Sequence, residues 1–333
     1  MVKLTITNNR SLSNESNSGL ELNELNINAK GGTELMQNAL YQRIDKGLLD
    51  NFQIICSRVR DLKNDKIKIL WAHDLAGDTE VQFLKDDGYS VFDKIVFVSH
   101  WQQQQYNTIL GVPYSKGTVM LNAIDPIESH DKPDDVINLV YFSTPHRGLE
   151  ILVPVFEHLH ENNFKTLNKE VHLHVYSSFK LYGWEARDKP YLELFERCKN
   201  HPNIHYHGAV SNQQIHEDLK KMHILAYPCI WPETSCIVLM EAMSAGLICV
   251  HSSFAALPET ASNWTLMYPM TENNSDHANV FAQNLYNAVR LQETGSLNER
   301  LRLQSMYANS FYNWDVRAMQ WDNLLKELCN GPV

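Results

Sequence analysis

The chain has 333 residues, a length that predicts about two domains. With 44% hydrophobic and 20% charged residues, and only 14 glycines and 12 prolines, the composition is globular and excludes a disordered or collagen-like chain. The formal net charge of −10 leaves no basic surface for sequence-independent nucleic-acid binding and offers little to an anionic membrane.

Residues 8–30 are rich in Asn, Ser and Glu and read as a loop. After Gly31-Gly32-Thr33-Glu34, apolar residues recur at helical spacing (Leu35, Met36, Ala39, Leu40, Ile44, Leu48), which predicts a helix beginning just past the glycines. Short apolar runs typical of buried parallel strands follow at Phe52–Cys56, Ile67–Ala72 and Lys94–Val98. A helix over Trp101–Leu110 separates the last of these from Thr118–Leu121. The series continues at Asn138–Phe142, Val171–Tyr176, Ile204–Tyr206, Ile224–Tyr227 and Leu247–Val250, with helices expected at Glu150–His160, Tyr191–Lys199, Ile215–Met222 and Val238–Ala245. Alternation of strand and helix over the whole length predicts an α/β fold with parallel sheets.

The segment Asp125–Asp135 carries Pro126, Pro133 and several charges without hydrophobic period, and marks a boundary. The expected division is residues 1–125, residues 126–310 and a C-terminal helix within 311–333. That helix, Phe311–Leu328, bears Phe311, Tyr312, Trp314 and Trp321 and is expected to bury them across both domains. There is no apolar run near the ~18 residues that span a bilayer, and Met1–Arg10 has no pattern of a secretory signal. Cys56, Cys198, Cys229, Cys236, Cys249 and Cys329 form no CxxC pair, so reduced thiols and a cytoplasmic location are expected.

The strongest chemical signal is Pro232-Glu233-Thr234-Ser235-Cys236-Ile237-Val238-Leu239-Met240-Glu241-Ala242-Met243-Ser244-Ala245-Gly246. It sets two glutamates eight residues apart across a strand-to-helix turn. With the helix beginning near Thr234, Glu233 sits at its N-terminus and Glu241 about two turns on, roughly 12 Å along the axis. Free N–H groups of Thr234, Ser235 and Cys236 at a sheet's carboxyl edge would make an anion site, and carboxylates accept paired sugar hydroxyls. Spacing alone equally admits one capping and one surface glutamate.

This stretch resembles the glutamate–seven residues–glutamate motif of the GT-B retaining glycosyltransferases of family 4, also called glycosyl transferases group 1. Glu241-Ala242-Met243-Ser244-Ala245-Gly246 and Leu257-Pro258-Glu259-Thr260 are similar to that family as well. The resemblance implies an α/β fold of two Rossmann-like domains facing across a cleft, the C-terminal helix crossing back to the first. It implies that Glu233 binds the transferred sugar and Glu241 the nucleotide ribose. Gly31 and Gly32 would face the donor diphosphate, and Asn122-Ala123-Ile124-Asp125 resembles the family's crossover segment, with Ala123 where glycine is usual. Phe142-Ser143-Thr144-Pro145-His146-Arg147-Gly148 supplies one phosphate-binding residue, Arg147, while Thr144 stands near where a first arginine is usual. Lys180 is the candidate for the missing charge. His73, after the strand Ile67–Ala72, is the candidate for contacting donor sugar or acceptor, and Ser99-His100-Trp101 for lining the acceptor cleft.

The implied reaction moves a sugar from a nucleotide diphosphate-sugar, UDP- or GDP-linked, to a glycan or other hydroxyl acceptor, with retention and without metal or other cofactor. A sugar-nucleotide epimerase, a non-catalytic nucleotide-sugar-binding module and a structural subunit remain as alternatives. Of the 15 histidines, His172/His174 and His205/His207 each share a strand face, but neither pair has a nearby Cys or carboxylate completing a metal set. The basic run Arg58–Lys63 reads as a solvated loop. No Gly-x-Ser-x-Gly, P-loop or Gly-x-Gly-x-x-Gly pattern is present.

Overall fold

A computed structural model describes residues 31–331 apart from Ser57 and Arg60; the expected loop at 8–30 lies outside the described residues. The elements in chain order are α1 (Gly32–Arg43), α2 (Lys46–Leu49), β1 (Phe52–Cys56), β2 (Ile67–Ala72), β3 (Lys94–Phe97), α3 (His100–Leu110) and β4 (Gly117–Val119). Then come β5 (Val136–Phe142), α4 (Leu149–Asn162), β6 (Glu170–Tyr176), α5 (Leu192–Asn200), β7 (Ile204–Tyr206), α6 (Asn212–Leu219), β8 (Ile224–Tyr227) and α7 (Ile237–Ser244). The chain ends with β9 (Ile248–Ser252), α8 (Leu257–Ala261), β10 (Leu266–Tyr268), α9 (Asn274–Thr294), α10 (Asn298–Phe311) and α11 (Trp314–Asn330).

The first domain is a parallel sheet in the order β1-β2-β3-β4. Side chains alternate across its two faces. Ile69, Trp71, Val96 and Val98 pack into one core with Met36 and Leu40 of α1, while Leu70, Ala72, Ile95 and Phe97 pack into another with Tyr106 of α3. Burial on both faces explains why these strands read as continuous apolar runs.

The second domain is a six-stranded parallel sheet in the order β10-β9-β8-β5-β6-β7. The chain starts at β5, winds outward through β6 and β7, then returns to β8 on the other side of β5. This is a doubly wound sheet whose order reverses between β5 and β8, and loops leaving those two carboxyl ends diverge to form a crevice.

The segment between the domains is fastened rather than free. Ile127 N–H donates to Ser244 Oγ at 2.8 Å, and Lys132 donates to the carbonyls of Met222 (2.6 Å) and Ala245 (2.9 Å). Burial pushes the Lys132 ammonium down to about 7. Beside this crossing runs a second: Ile124 N–H bonds the Tyr312 carbonyl at 2.7 Å.

The helix expected over Phe311–Leu328 begins three residues later, at Trp314. α10 ends at Phe311, and Asn313 caps α11 by accepting from Val316 N–H. This break returns the chain to the first domain. Tyr312 stays in the second core, Trp314 and Trp321 enter the first, and Phe311 is left exposed, contrary to expectation. β10, α8, α9 and α10 are absent from the sequence reading. β10 has three residues, one of them exposed, and the buried stripe of α9 mixes Ala278, Ala282, Ala288 and His277 with Phe281, Leu285 and Val289.

His172, His174, His205 and His207 stand on β6 and β7. His172 Nδ1 lies 2.9 Å from His205 Nε2, and His174 Nδ1 lies 3.1 Å from His207 Nε2. Among the described residues no group of three or more His, Cys, Asp or Glu is placed to hold a metal ion. Elsewhere in this domain His251 and His277 are fully buried, and burial lowers both to about 4. The unfolded chain therefore takes up protons on these rings before the folded one does. Their stabilising contribution is complete above about 6.5 and is lost as pH falls toward 4, at roughly 1.4 kcal/mol per pH unit for each. Calorimetry should show Tm falling steadily between about pH 7 and pH 5; an unchanged Tm would contradict neutral buried rings.

Candidate functional site

A cleft of about 610 Å³ opens where the β5 and β8 loops diverge, with the first domain as its opposite wall. Each second-domain residue there is placed by its strand. β5 runs out at Phe142 and the chain makes a tight turn over Pro145–Arg147 before α4. Gly148 ends this turn with φ of 130°, and a Cβ there would stand 2.2 Å from the carbonyl oxygen of Pro228. Only glycine allows that approach. It seats the β5 loop directly on the β8 loop.

The result is a buried ion pair. Arg147 donates to Glu233 Oε1 at 2.8 Å, and Tyr227 OH donates to the same oxygen at 2.6 Å. Glu233 is 4% exposed. Burial alone would lower the Arg147 pKa, but Glu233 together with Tyr227, Tyr182 and Cys229 more than offsets this and holds it well above the ordinary value. The Tyr227 phenol is pushed well up by burial and stays a donor.

α7 begins at Ile237, one residue before the Val238 start expected from the chain pattern and three residues after the start near Thr234 read from the motif. The cause is tertiary: the Glu233 carbonyl accepts from Ala256 N–H, and Thr234 Oγ1 donates across the cleft to the His73 carbonyl at 2.9 Å. With these groups engaged the helix cannot start at Thr234. The free N–H groups of its first turn are those of Ile237 onward, and Glu241 lies about one turn inside, roughly 6 Å along the axis. Glu241 lines the cleft, and its Oε1 bonds His216 Nε2 of α6 at 2.9 Å.

The first domain supplies the facing wall. Gly31 precedes α1 and is packed so closely that a Cβ would meet Tyr182 at 2.5 Å; a Cβ on Gly32 would meet Ile237 at 3.2 Å. The glycines thus bring the N-terminus of α1 against the second domain. His73 lines the cleft with its ring 4.9 Å from that of Trp71, and burial lowers it to about 3, so it is neutral. Six buried polar atoms of cleft residues have no partner among the described residues: His73 Nε2, Asn122 Oδ1, Thr144 Oγ1, His146 Nδ1, Arg147 Nε and Ser235 Oγ. Buried polar groups are satisfied in stable structures, so this concentration marks a place for a polar ligand.

Residues 123–285 match the family described as glycosyl transferases group 1. The match covers just under half of the chain, so this stretch is similar to a glycosyl transferases group 1 domain. No curated protein matches the chain. Among solved structures, the chain is similar to a glycosyltransferase from Rickettsia africae (14% identity, TM-score 0.66, covering 93% of this chain and 85% of that one). It is also similar to Anabaena HepE in complex with UDP-glucose (13%, 0.57, 80% and 72%) and to the sucrose-phosphate synthase of Thermosynechococcus elongatus (14%, 0.57, 80% and 69%). These likenesses establish the fold: two Rossmann-like domains in the GT-B arrangement.

Within the matched stretch the structure gathers Arg147, Glu233, Thr234, Ser235, Cys236 and Glu241 on one cleft, with Gly32 and His73 opposite. Cys236 is buried and burial holds its thiol well above the ordinary range, so it is a packing group. Lys180 departs from expectation. Its side chain is 68% exposed, pairs with Glu185 at 3.3 Å and does not line the cleft. Arg187 does, with its guanidinium 4.4 Å from the Trp184 ring. Arg58 also lines the cleft, contrary to the solvated-loop reading. Arg60 lies outside the described residues.

Ser99, His100 and Trp101 do not line the cleft. Ser99 caps α3, and the N–H groups of His100 and Trp101 donate to the two oxygens of Glu259 at 2.9 and 3.1 Å. A second-domain carboxylate therefore caps a helix of the first domain. Glu259→Ala should cost about 1 kcal/mol of stability, measured as a lower midpoint in urea; an unchanged midpoint would show that the cap does not join the domains.

Proposed function

We propose that this protein is a retaining glycosyltransferase that moves a hexosyl group from a nucleotide diphosphate-sugar to an acceptor hydroxyl, without a metal ion. The observation that carries the proposal is one cleft holding Glu233 and Glu241 on either side of a helix N-terminus, with Arg147 and Arg187 on the same wall. Two similar proteins support it: Anabaena HepE forms a complex with UDP-glucose, and a trehalose-6-phosphate synthase carries out glycosyltransfer with retention.

In this reading Glu241 holds the ribose hydroxyls and Glu233 orients the sugar. The barrier is departure of the diphosphate from a carbon that develops oxocarbenium character, the charge development also met in glycoside hydrolysis. Arg147, Arg187 and the first-turn N–H groups of α7 stabilise the leaving diphosphate, charges fixed in place before the reaction. Neutral His73 offers a hydrogen-bonding ring to sugar or acceptor. Contact between the domains at Thr234 and Glu259 excludes water and limits hydrolysis.

The test is release of nucleoside diphosphate from UDP-, GDP- and ADP-linked sugars, with and without a panel of sugar and lipid-linked hydroxyl acceptors. Acceptor-dependent release from one nucleotide series is expected. Rearrangement of the donor alone would make the protein an epimerase, and binding without release would make it a binding module.

A further inference from the structure

Glu241 forms part of two cavities. One is the main cleft. The other is a recess of about 460 Å³ between α1, α6 and the segment crossing the domains. His216 lines the recess but not the main cleft. It therefore reaches Glu241 from the side away from any ligand in the main cleft. Among the described residues its Nε2 is the only hydrogen-bond partner of the Glu241 carboxylate. The Glu241 side chain is only 13% exposed and that of His216 27%, so the contact is shielded.

We propose that His216 is a positioning residue of the nucleotide site: its Nε2–H anchors one oxygen of Glu241 and leaves the other for the hydroxyls of a bound nucleoside diphosphate. The proposal rests on the nucleotide-sugar reading above. A lone carboxylate on a helix surface samples several rotamers, and each must be frozen out when a diol binds. A hydrogen bond made beforehand from α6 removes that cost. α6 is itself held: Ser211 caps it by accepting from Gln214 N–H, Leu219 is buried, and the neighbouring Ile215 lines the main cleft.

The charges around the pair favour the imidazolium form of His216. The hydrogen bond to Glu241 raises the His216 pKa, burial opposes it, and the carboxylates of Glu241, Asp125 and Glu217 add to the rise. The cation across the recess, Arg43, is engaged with Asp125 at 3.0 Å. An anchor that loses its charge as pH rises should lose strength with it.

The experiment is calorimetric titration of the full chain with UDP, and with GDP and ADP as companion probes, between about pH 5.5 and 9. The variants are His216→Ala, His216→Gln and Glu241→Ala, each with its Tm measured. His216→Ala is expected to weaken binding of the preferred nucleotide about tenfold at neutral pH, in line with a hydrogen bond to a charged group. His216→Gln, which keeps an N–H donor at similar reach, should restore affinity to within about threefold. Wild-type affinity should decline as pH rises through the His216 titration, and His216→Gln should lack that component. A packing role would give equal loss in both His216 variants and no His216-dependent pH component in the wild type. Two results overturn the proposal while leaving the nucleotide reading intact: full affinity in His216→Ala with weakened binding in Glu241→Ala, or no rescue by His216→Gln in a variant of normal Tm. Unchanged affinity in Glu241→Ala, or no binding of any nucleotide by wild type, overturns the reading and the proposal together.

Discussion

Glu233→Gln should lower kcat at least about a hundredfold while changing nucleotide affinity little, because under the proposed function Glu233 orients the sugar and Glu241 holds the ribose. The change is close to isosteric. The amide oxygen can still accept from Arg147 and Tyr227, which now share Oε1 at 2.8 and 2.6 Å. What is lost is the negative charge, and with it the ion pair that fixes the Arg147 guanidinium beside the diphosphate. Glu233→Ala should be worse in a distinguishable way. It leaves a mostly buried guanidinium and a buried phenol without their partner, so stability falls as well as turnover. Steady-state kinetics with the preferred donor, paired with thermal melts, separates the two. A Glu233→Gln variant with near wild-type turnover would remove Glu233 from the chemistry.

Gly148→Ala should be among the most damaging single substitutions outside the carboxylates. Two costs coincide. The backbone sits at φ 130°, where a side chain is strained, and the new Cβ would lie 2.2 Å from a backbone oxygen that belongs to the other half of the site. Each effect alone is worth about 1–3 kcal/mol, so a loss near 4 kcal/mol is expected. At roughly 2–4 °C per kcal/mol for a chain somewhat smaller than this one, Tm should fall by about 10 °C. The Pro228 loop must also move away from the Arg147 turn, which separates Arg147 from Glu233. Activity per folded molecule should therefore drop at temperatures where the variant is still folded. A Tm within about 2 °C of wild type would mean that the β5 and β8 loops are not locked together as described.

Much of this fold is legible in the sequence because parallel strands are buried on both faces and so appear as uninterrupted apolar runs. Strand order is not legible, since nothing in the run Ile224–Tyr227 says that it returns to pair with β5 rather than extending past β7. Yet that return creates the crevice. Glu233 and Glu241 are visible because their relation is short-range, eight residues along one turn and helix. The start of α7 is misplaced because its cause lies far away, in Ala256 and His73. Arg187 and His216 escape the sequence for the same reason. Arg187 belongs to an irregular stretch arranged in part by Asp188, which accepts from Ser178 Oγ and Phe179 N–H. His216 is one of 15 histidines and becomes distinctive only when α6 is laid against α7. Lys180 illustrates the converse: a charge near the right place in sequence, carried outward to pair with Glu185.

The central claim is that the cleft between the domains binds a nucleoside diphosphate through Glu241. The most direct measurement is a thermal-shift comparison of wild type and Glu241→Ala against UDP, GDP, ADP and their common sugar conjugates, without added metal. A ligand at about a hundred times its Kd stabilises the folded state by about 2.7 kcal/mol, which is several degrees in Tm. One nucleotide series should raise the wild-type midpoint by that amount, with the shift largely lost in Glu241→Ala. No shift with any nucleotide, or an equal shift in both proteins, would contradict the account.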